Sequence, residues 1–286
     1  MQIFNILLLI LLSISLYAKE EEHHSHSGSD NIKLNFESLD FRNSKKKEDG
    51  KRYGVEIDHE DETNHFQIYY EETQTHTTEL MPEDLDVKKY TLKYQYKFYE
   101  NERVSISYTG IDDNLMKETD NGHIYGLGYS YGELGFTQYL SDYKNFDVYQ
   151  SDLKYSLISD FSNFKVKTTF IGKYIHLKDK DSNKFSQNAK DDYFTAGIKL
   201  HSHYQGYHLG AGAFFGDRVF AVMKDGFKVQ HHAMEFKESY MVGVGHSLGD
   251  NLTAHLRYGY HKAKEIPINN DNVKIQNISF DILYKF

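Results

Sequence analysis

The chain contains no cysteine, no tryptophan and two prolines in 286 residues. Without cysteine it can form neither a disulfide framework nor a thiolate metal site, so packing and hydrogen bonds alone must hold the fold. Past residue 18 no apolar run approaches the roughly 18–20 residues a spanning helix needs. A mean hydropathy of -0.66 with 15% aromatics also excludes a helical membrane protein. It does not exclude a membrane barrel, where only alternate residues meet lipid and average hydropathy stays low. Phosphate-binding glycine motifs, HExxH, EF-hand loops and nucleic-acid patches are also missing. No cofactor and no nucleic-acid partner is therefore expected.

What is abundant points to strands. Twenty glycines, 24 tyrosines and 19 phenylalanines suit extended segments with aromatic faces far better than helices. The N-terminal run IFNILLLILLSISLYA, residues 3–18, is uncharged and closes on the small residue Ala18 before the polar KEEEHHSHSGSD. It reads as a secretory signal peptide over 1–18. The alternative is an uncleaved helical anchor, for which the run barely reaches the required length. Residues 19–30 form a polar His/Glu-rich tail, and 31–286 a single domain.

That domain repeats one period. In VKKYTLKYQYKF, residues 87–98, Tyr90, Leu92, Tyr94, Tyr96 and Phe98 share one face, with Lys89, Thr91, Lys93, Gln95 and Lys97 on the other. The same alternation recurs at Tyr53/Val55/Ile57, Val104/Ile106/Tyr108, Tyr125/Leu127/Tyr129 and Leu252/Ala254/Leu256/Tyr258. It predicts strands near 31–41, 51–59, 63–72, 87–98, 103–110, 122–132, 133–141, 146–157, 163–177, 191–204, 206–216, 236–248, 251–262 and 273–286. In the first of these the apolar face switches between Phe36 and Leu39, and 133–141 follows its predecessor with almost no turn.

Odd-numbered connections are mostly long and polar (RNSKKKEDG, ETQTHTTELMPEDLD, KAKEIPINNDN), whereas even-numbered ones such as EDET and LGDN are short. The final segment ISFDILYKF alternates Ile278, Phe280, Ile282, Tyr284 and Phe286 with mostly polar residues. With these features the chain resembles the Gram-negative outer-membrane β-barrel (porin-like) class, without pointing to one family. The resemblance implies an all-β, closed antiparallel transmembrane up-and-down barrel of about fourteen strands, with twelve as the alternative. It also implies outer-membrane localisation in contact with lipid. In that class the terminal strand is read by the barrel-assembly machinery, a role that falls here on Phe280, Tyr284 and Phe286. Tyrosine would supply the interfacial girdles that tryptophan often fills.

A barrel of this width need not fill its own lumen, so a channel is the expected function: passive diffusion of small hydrophilic solutes through a monomer. Parity points Lys89, Lys93, Lys97, Lys154, Lys199 and Arg257 inward, against fewer acids such as Glu56, Asp58, Glu71 and Asp152. A basic wall leans toward anions; the alternative is that these lysines merely solvate the wall and pair with the acids. One long connection, 216–237, is rich in apolar residues and carries Asp225-Gly226, a hairpin-turn signal. It is expected to fold into the lumen as a constriction involving Phe220, Asp225, Phe227, His231 and His232, the alternative being a tall hairpin above the membrane. That loop could also block the lumen and leave a structural or adhesive barrel.

Parity also turns His201, His203, His208, His255 and His261 inward, but same-face histidines two apart are common in a chain with 16 histidines, and no specific metal site is expected. Enzymatic activity at the rim would rest on the lone dipeptide His201-Ser202, with Ser202 on the lipid-facing parity and no acid placed by spacing. No catalytic residue is assigned.

Overall fold

The computed structural model describes residues 28–115, 118–161, 164–180 and 184–286. The expected signal peptide and nearly all of the polar tail lie outside the described residues. Fourteen strands close into an antiparallel barrel in which each pairs with its sequence neighbour and the first pairs with the last. They are β1 (Ser29–Arg42), β2 (Lys47–Glu60), β3 (Asn64–Thr77), β4 (Leu85–Tyr99), β5 (Glu102–Asp113), β6 (His123–Tyr131) and β7 (Leu134–Asp142). The second half comprises β8 (Phe146–Phe161), β9 (Phe164–Asp179), β10 (Asp192–Tyr204), β11 (Tyr207–Arg218), β14 (Met234–Ser247), β15 (Leu252–Glu265) and β16 (Asn270–Lys285). Two short strands, β12 (Val222–Met223) and β13 (Lys228–Val229), pair only with each other.

The period-2 pattern places the side chains. Leu92, Ile106, Leu127, Phe136, Leu153, Leu256 and Ile278 all point outward and are exposed. So broad an apolar band is incompatible with water and requires a hydrocarbon surround. Tyrosines flank the band, with Tyr70 opposite Tyr90 and Tyr108 opposite Tyr125 toward one rim, and Tyr131, Tyr204, Tyr207 and Tyr284 toward the other. No helix among the described residues is long and apolar enough to cross a membrane.

Closure satisfies the edges. β1 and β16 pair from Asn31↔Lys285 to Arg42↔Lys274, and the Phe286 N–H donates to the Asp30 carbonyl at 2.9 Å. An open edge would leave backbone groups unpaired in lipid at several kcal/mol each. Phe280, Tyr284 and Phe286 face outward along this seam, and the rings of Tyr284 and Phe286 meet edge to face at 4.9 Å.

One feature differs from the sequence reading. The strands run past the apolar band on the side of the odd-numbered links, so RNSKKKEDG and KAKEIPINNDN shrink to connections at 43–46 and 266–269. Polar residues on both faces are compatible with pairing there because water lies outside the wall, and a bulge at Lys47–Gly50 keeps β2 in register with β3. As read from the sequence, the apolar residues of β1 change face while its alternation runs unbroken: Phe36 points outward, whereas Leu39 and Phe41 lie on the inward parity and are buried. They point inward because the lumen at this level is a packed core. The abrupt β6–β7 connection is a two-residue turn, 132–133, in which Gly132 takes φ +55°.

Candidate functional site

The lumen has two halves of different chemistry. Near the rim with the longer links, all fourteen strands contribute buried inward side chains. Leu85, Val87, Ile111, Ile124, Tyr139, Phe146, Val148, Ile175, Leu177 and Tyr193 form one apolar cluster, and Leu39, Phe41, Phe236, Ala263, Val273 and Ile275 form another. Polar inward groups at this level, among them Lys47, Glu71, Thr73, Arg218 and Glu265, are buried as well.

The connection 219–233 completes this packing. It turns into the barrel instead of rising above it. Val219, Phe220, Ala221 and Val222 are at most 1% exposed, and the Phe220 ring lies 4.9 Å from Phe146 and 5.4 Å from Phe185. The segment then makes its own small hairpin, β12–β13, around a 3-10 turn at Lys224–Gly226 with Asp225 at φ 61°.

A polypeptide inside a barrel needs partners for its backbone. Gln150 donates to the Val222 carbonyl and accepts from the Val222 N–H, both at 2.8 Å. The Lys173 ammonium reaches the same carbonyl at 3.0 Å, and Lys89 reaches the Val229 carbonyl at 3.3 Å. Side-chain contacts add to this. Lys228 pairs with Glu37 at 2.8 Å, Asp225 pairs with Lys154, and Phe227 packs edge-on to Tyr69 with the Lys93 ammonium 5.3 Å from its ring.

Beneath the loop runs a belt of paired charges. Arg52 bridges Glu37 at 2.7 Å and Glu71 at 3.3 Å; Lys89 pairs with Glu71 at 2.6 Å; Lys173 pairs with Asp152. Removing one partner of such a buried pair strands the other charge, so the belt fixes the loop's seat more than it adds net stability.

The other half, toward the short turns and both described chain ends, is open and polar. A cavity of about 430 Å³ lies under the loop tip, lined by Lys33, Glu56, Lys93, Lys224, Arg257 and Asp281 among others. A neighbouring one of about 310 Å³ is lined by Lys93, Arg103, Lys154 and Lys167, and a third of about 540 Å³ by Lys199, His201, His208, His255 and Lys285.

The positions singled out from the sequence thus divide. Lys93, Lys154, Lys199 and Arg257 border open cavities. Lys97 stands opposite Arg103 near the short-turn rim. Lys89 points inward but is covered by the loop, 4% exposed and already paired. Phe220 and His231 are buried in the packed half, the His232 ring lies tilted against His231 with centroids 4.0 Å apart, and Asp225 and Phe227 form the tip over the cavity. Gln150, Glu37 and Arg52 were not singled out; nothing in their spacing marks a residue that anchors a distant loop.

The histidines also separate. His201, His203 and His208 converge, and His255 approaches His208 with ring centroids 5.2 Å apart. His261 stays apart, bonded to Ser239 at 2.6 Å. Ser202 lies on the opposite face of β10 from His201, so that dipeptide assembles no catalytic pair.

No family model matches the chain, and no curated protein matches it. Solved structures do match in fold. A bacterial polysaccharide outer membrane secretin aligns with TM-score 0.54 and 9% identity over 92% of this chain and all (100%) of that one. The Ralstonia pickettii toluene transporter TbuX aligns with TM-score 0.50 and 10% identity over 92% and 90%. Omp33 from Acinetobacter baumannii aligns with TM-score 0.49 and 11% identity over 90% and 99%. At such identities the likeness is one of fold: that of outer-membrane β-barrel proteins.

Proposed function

We propose that the protein is an outer-membrane channel for small hydrophilic solutes, with the 219–233 segment as its constriction and gate. The observation that carries this is the contrast along the lumen. A cation-lined, water-accessible vestibule leads up to a plug held by apolar packing and a handful of polar anchors and not by continuous strand pairing. The long-link rim is then the cell exterior and the short-turn rim the periplasm. Phe280, Tyr284 and Phe286 would present the assembly signal along the seam.

The lumen also supports a preference for anions. Among the described residues, Lys93, Lys97, Lys167, Lys199 and Arg103 have no carboxylate within ion-pair distance, whereas Lys33, Lys154 and Arg257 each have one. Unpaired cations around a water-filled wall raise the local anion concentration.

A second reading, a permanently plugged structural barrel, draws on the burial of inward side chains on every strand in the outer half. Planar-bilayer recordings separate the two. The channel reading expects brief, small conductance steps from the refolded protein and larger, sustained steps when 219–233 is replaced by a short Gly/Ser linker. Identical conductance in both would remove the loop's gating role. Silence from both, in protein shown to be folded by heat-modifiable gel mobility, would favour the plugged barrel.

A further inference from the structure

The vestibule wall carries a side-chain cluster that the channel reading does not use. Along one level of the sheet the register runs Lys165, His203, His208, Gly245, His255 and Asp281 on successive strands. His201 lies two residues from His203 on the same face of β10. Gly245 matters here, because a Cβ at that position would collide with the His255 ring; its absence lets His255 lean across β14 toward His208. Gly210, opposite His201, leaves the neighbouring level clear.

Imidazole nitrogens of His201, His203 and His208 all lie within 4.8 Å of one another. The Nε2 atoms of His201 and His203 face each other at 2.6 Å, and the His203 and His208 rings are 4.3 Å apart. Nitrogens around a tetrahedral zinc ion lie about 3.3 Å apart, given Zn–N bonds of about 2.0–2.1 Å. Small side-chain rotations span the difference, and the β10–β11 turn at 205–206 fixes the two strands relative to each other.

We propose that His201, His203 and His208, with His255 as a further donor, form a binding site for a late first-row divalent ion such as Zn²⁺ on the periplasm-facing lumen wall. The donor set selects the ion: imidazole suits zinc, copper and nickel, whereas calcium and magnesium require oxygen ligands. Lys165 and Lys167 stand opposite His203 and His201, so charge alone would not collect a hard cation here. The carboxylates along this register are already paired, Asp160 with Lys165 at 3.4 Å and Asp281, opposite His255, with Arg257. Binding requires that whichever of His201 and His203 donates through Nε2 carry its proton on Nδ1, and that a coordinating nitrogen give up its present partner, as His208 Nε2 would its 3.1 Å contact with Ser247 Oγ, with no change in net protonation.

The site does not depend on the channel reading, since binding is read without conductance. The polar tail holds His23, His24 and His26, so the test uses the full chain with these three replaced by alanine. Titration of that refolded protein with Zn²⁺ in detergent is expected to show a single saturable site, abolished by adding His203→Ala and His208→Ala. His203→Gln, which keeps size and polarity, serves as the gentler variant, and heat-modifiable mobility checks closure of the barrel. With Cu²⁺ as probe, electron paramagnetic resonance should show coupling to several imidazole nitrogens. Zinc binding that persists in the double variant, that vanishes when the tail histidines alone are replaced, or copper coupling to a single nitrogen would each overturn the site.

Discussion

The side chain of Gln150 on β8 clasps Val222 by both backbone groups, donating to its carbonyl and accepting from its N–H at 2.8 Å each. A strand residue thereby does for an inserted loop what a ladder partner does for a strand. Gln150→Ala leaves the buried Val222 N–H without an acceptor, a loss of about 1–3 kcal/mol from loop docking. The Val222 carbonyl keeps Lys173. The expected outcome is more frequent opening in bilayer recordings and faster protease cleavage within 219–233. Unchanged open probability and cleavage would show that the apolar contacts of Phe220 suffice.

Acid should loosen the same loop. Burial pushes the His231 imidazole well below its ordinary range, with the nearby Lys89, Lys47 and Arg52 cations acting the same way and Glu71 opposing them. A histidine depressed in the docked state binds protons more tightly when the loop is released. Docking is therefore at full strength above about pH 6.5 and weakens as pH falls through that value. Burial depresses the adjoining His232 in the same way, so channel opening should rise across this window, and His231→Gln with His232→Gln should flatten the dependence. A pH response identical in that double variant would place the sensitive group elsewhere.

Selectivity should follow Lys93 and Lys199, which contact aromatic rings and no carboxylate. Reversing both charges, Lys93→Glu with Lys199→Glu, is expected to move the zero-current potential in a salt gradient from the anion side to the cation side. An unmoved potential would mean that the narrowest point lies beyond both residues.

The β2–β3 turn has its own pH signature. Asp61 accepts N–H groups of Thr63 at 2.8 Å and Asn64 at 2.7 Å, and these hydrogen bonds lower its pKa to about 2. A depressed carboxyl stabilises the turn above its unfolded value of about 3.9, and the contribution disappears as pH falls through about 2. An NMR titration of the carboxyl carbon in micelles should give that low midpoint, rising in Asn64→Ala. A midpoint in the ordinary aspartate range would refute the turn geometry.

All fourteen barrel strands were legible because lipid imposes a uniform outward face, so Tyr90, Leu92, Tyr96 and Phe98 declare both strand and side at once. The interior imposes no such uniformity. The change of apolar face at Leu39 and Phe41 could be read, but its cause, an apolar half of the lumen, depends on where 219–233 goes. The length and apolar content of that segment could be read from the sequence; its seat could not, since it is set by Gln150, Lys173 and Lys89 from strands far away in the chain. Likewise parity put five histidines on one face, but only register and the gap at Gly245 decide that His255 joins the cluster while His261 does not.

The seam between β1 and β16 also bears on how the molecule reaches this state. The Asn35–Asp281 hydrogen bond joins residues 246 positions apart, whereas every other neighbouring strand pair is consecutive or separated only by the inserted hairpin. Hairpins can therefore zip up one after another at small loop-closure cost, while the seam must bring together the two most distant strands of the sheet. Its formation is the natural slow step of refolding, and an unsealed but otherwise paired sheet is the intermediate most exposed to pairing with another chain.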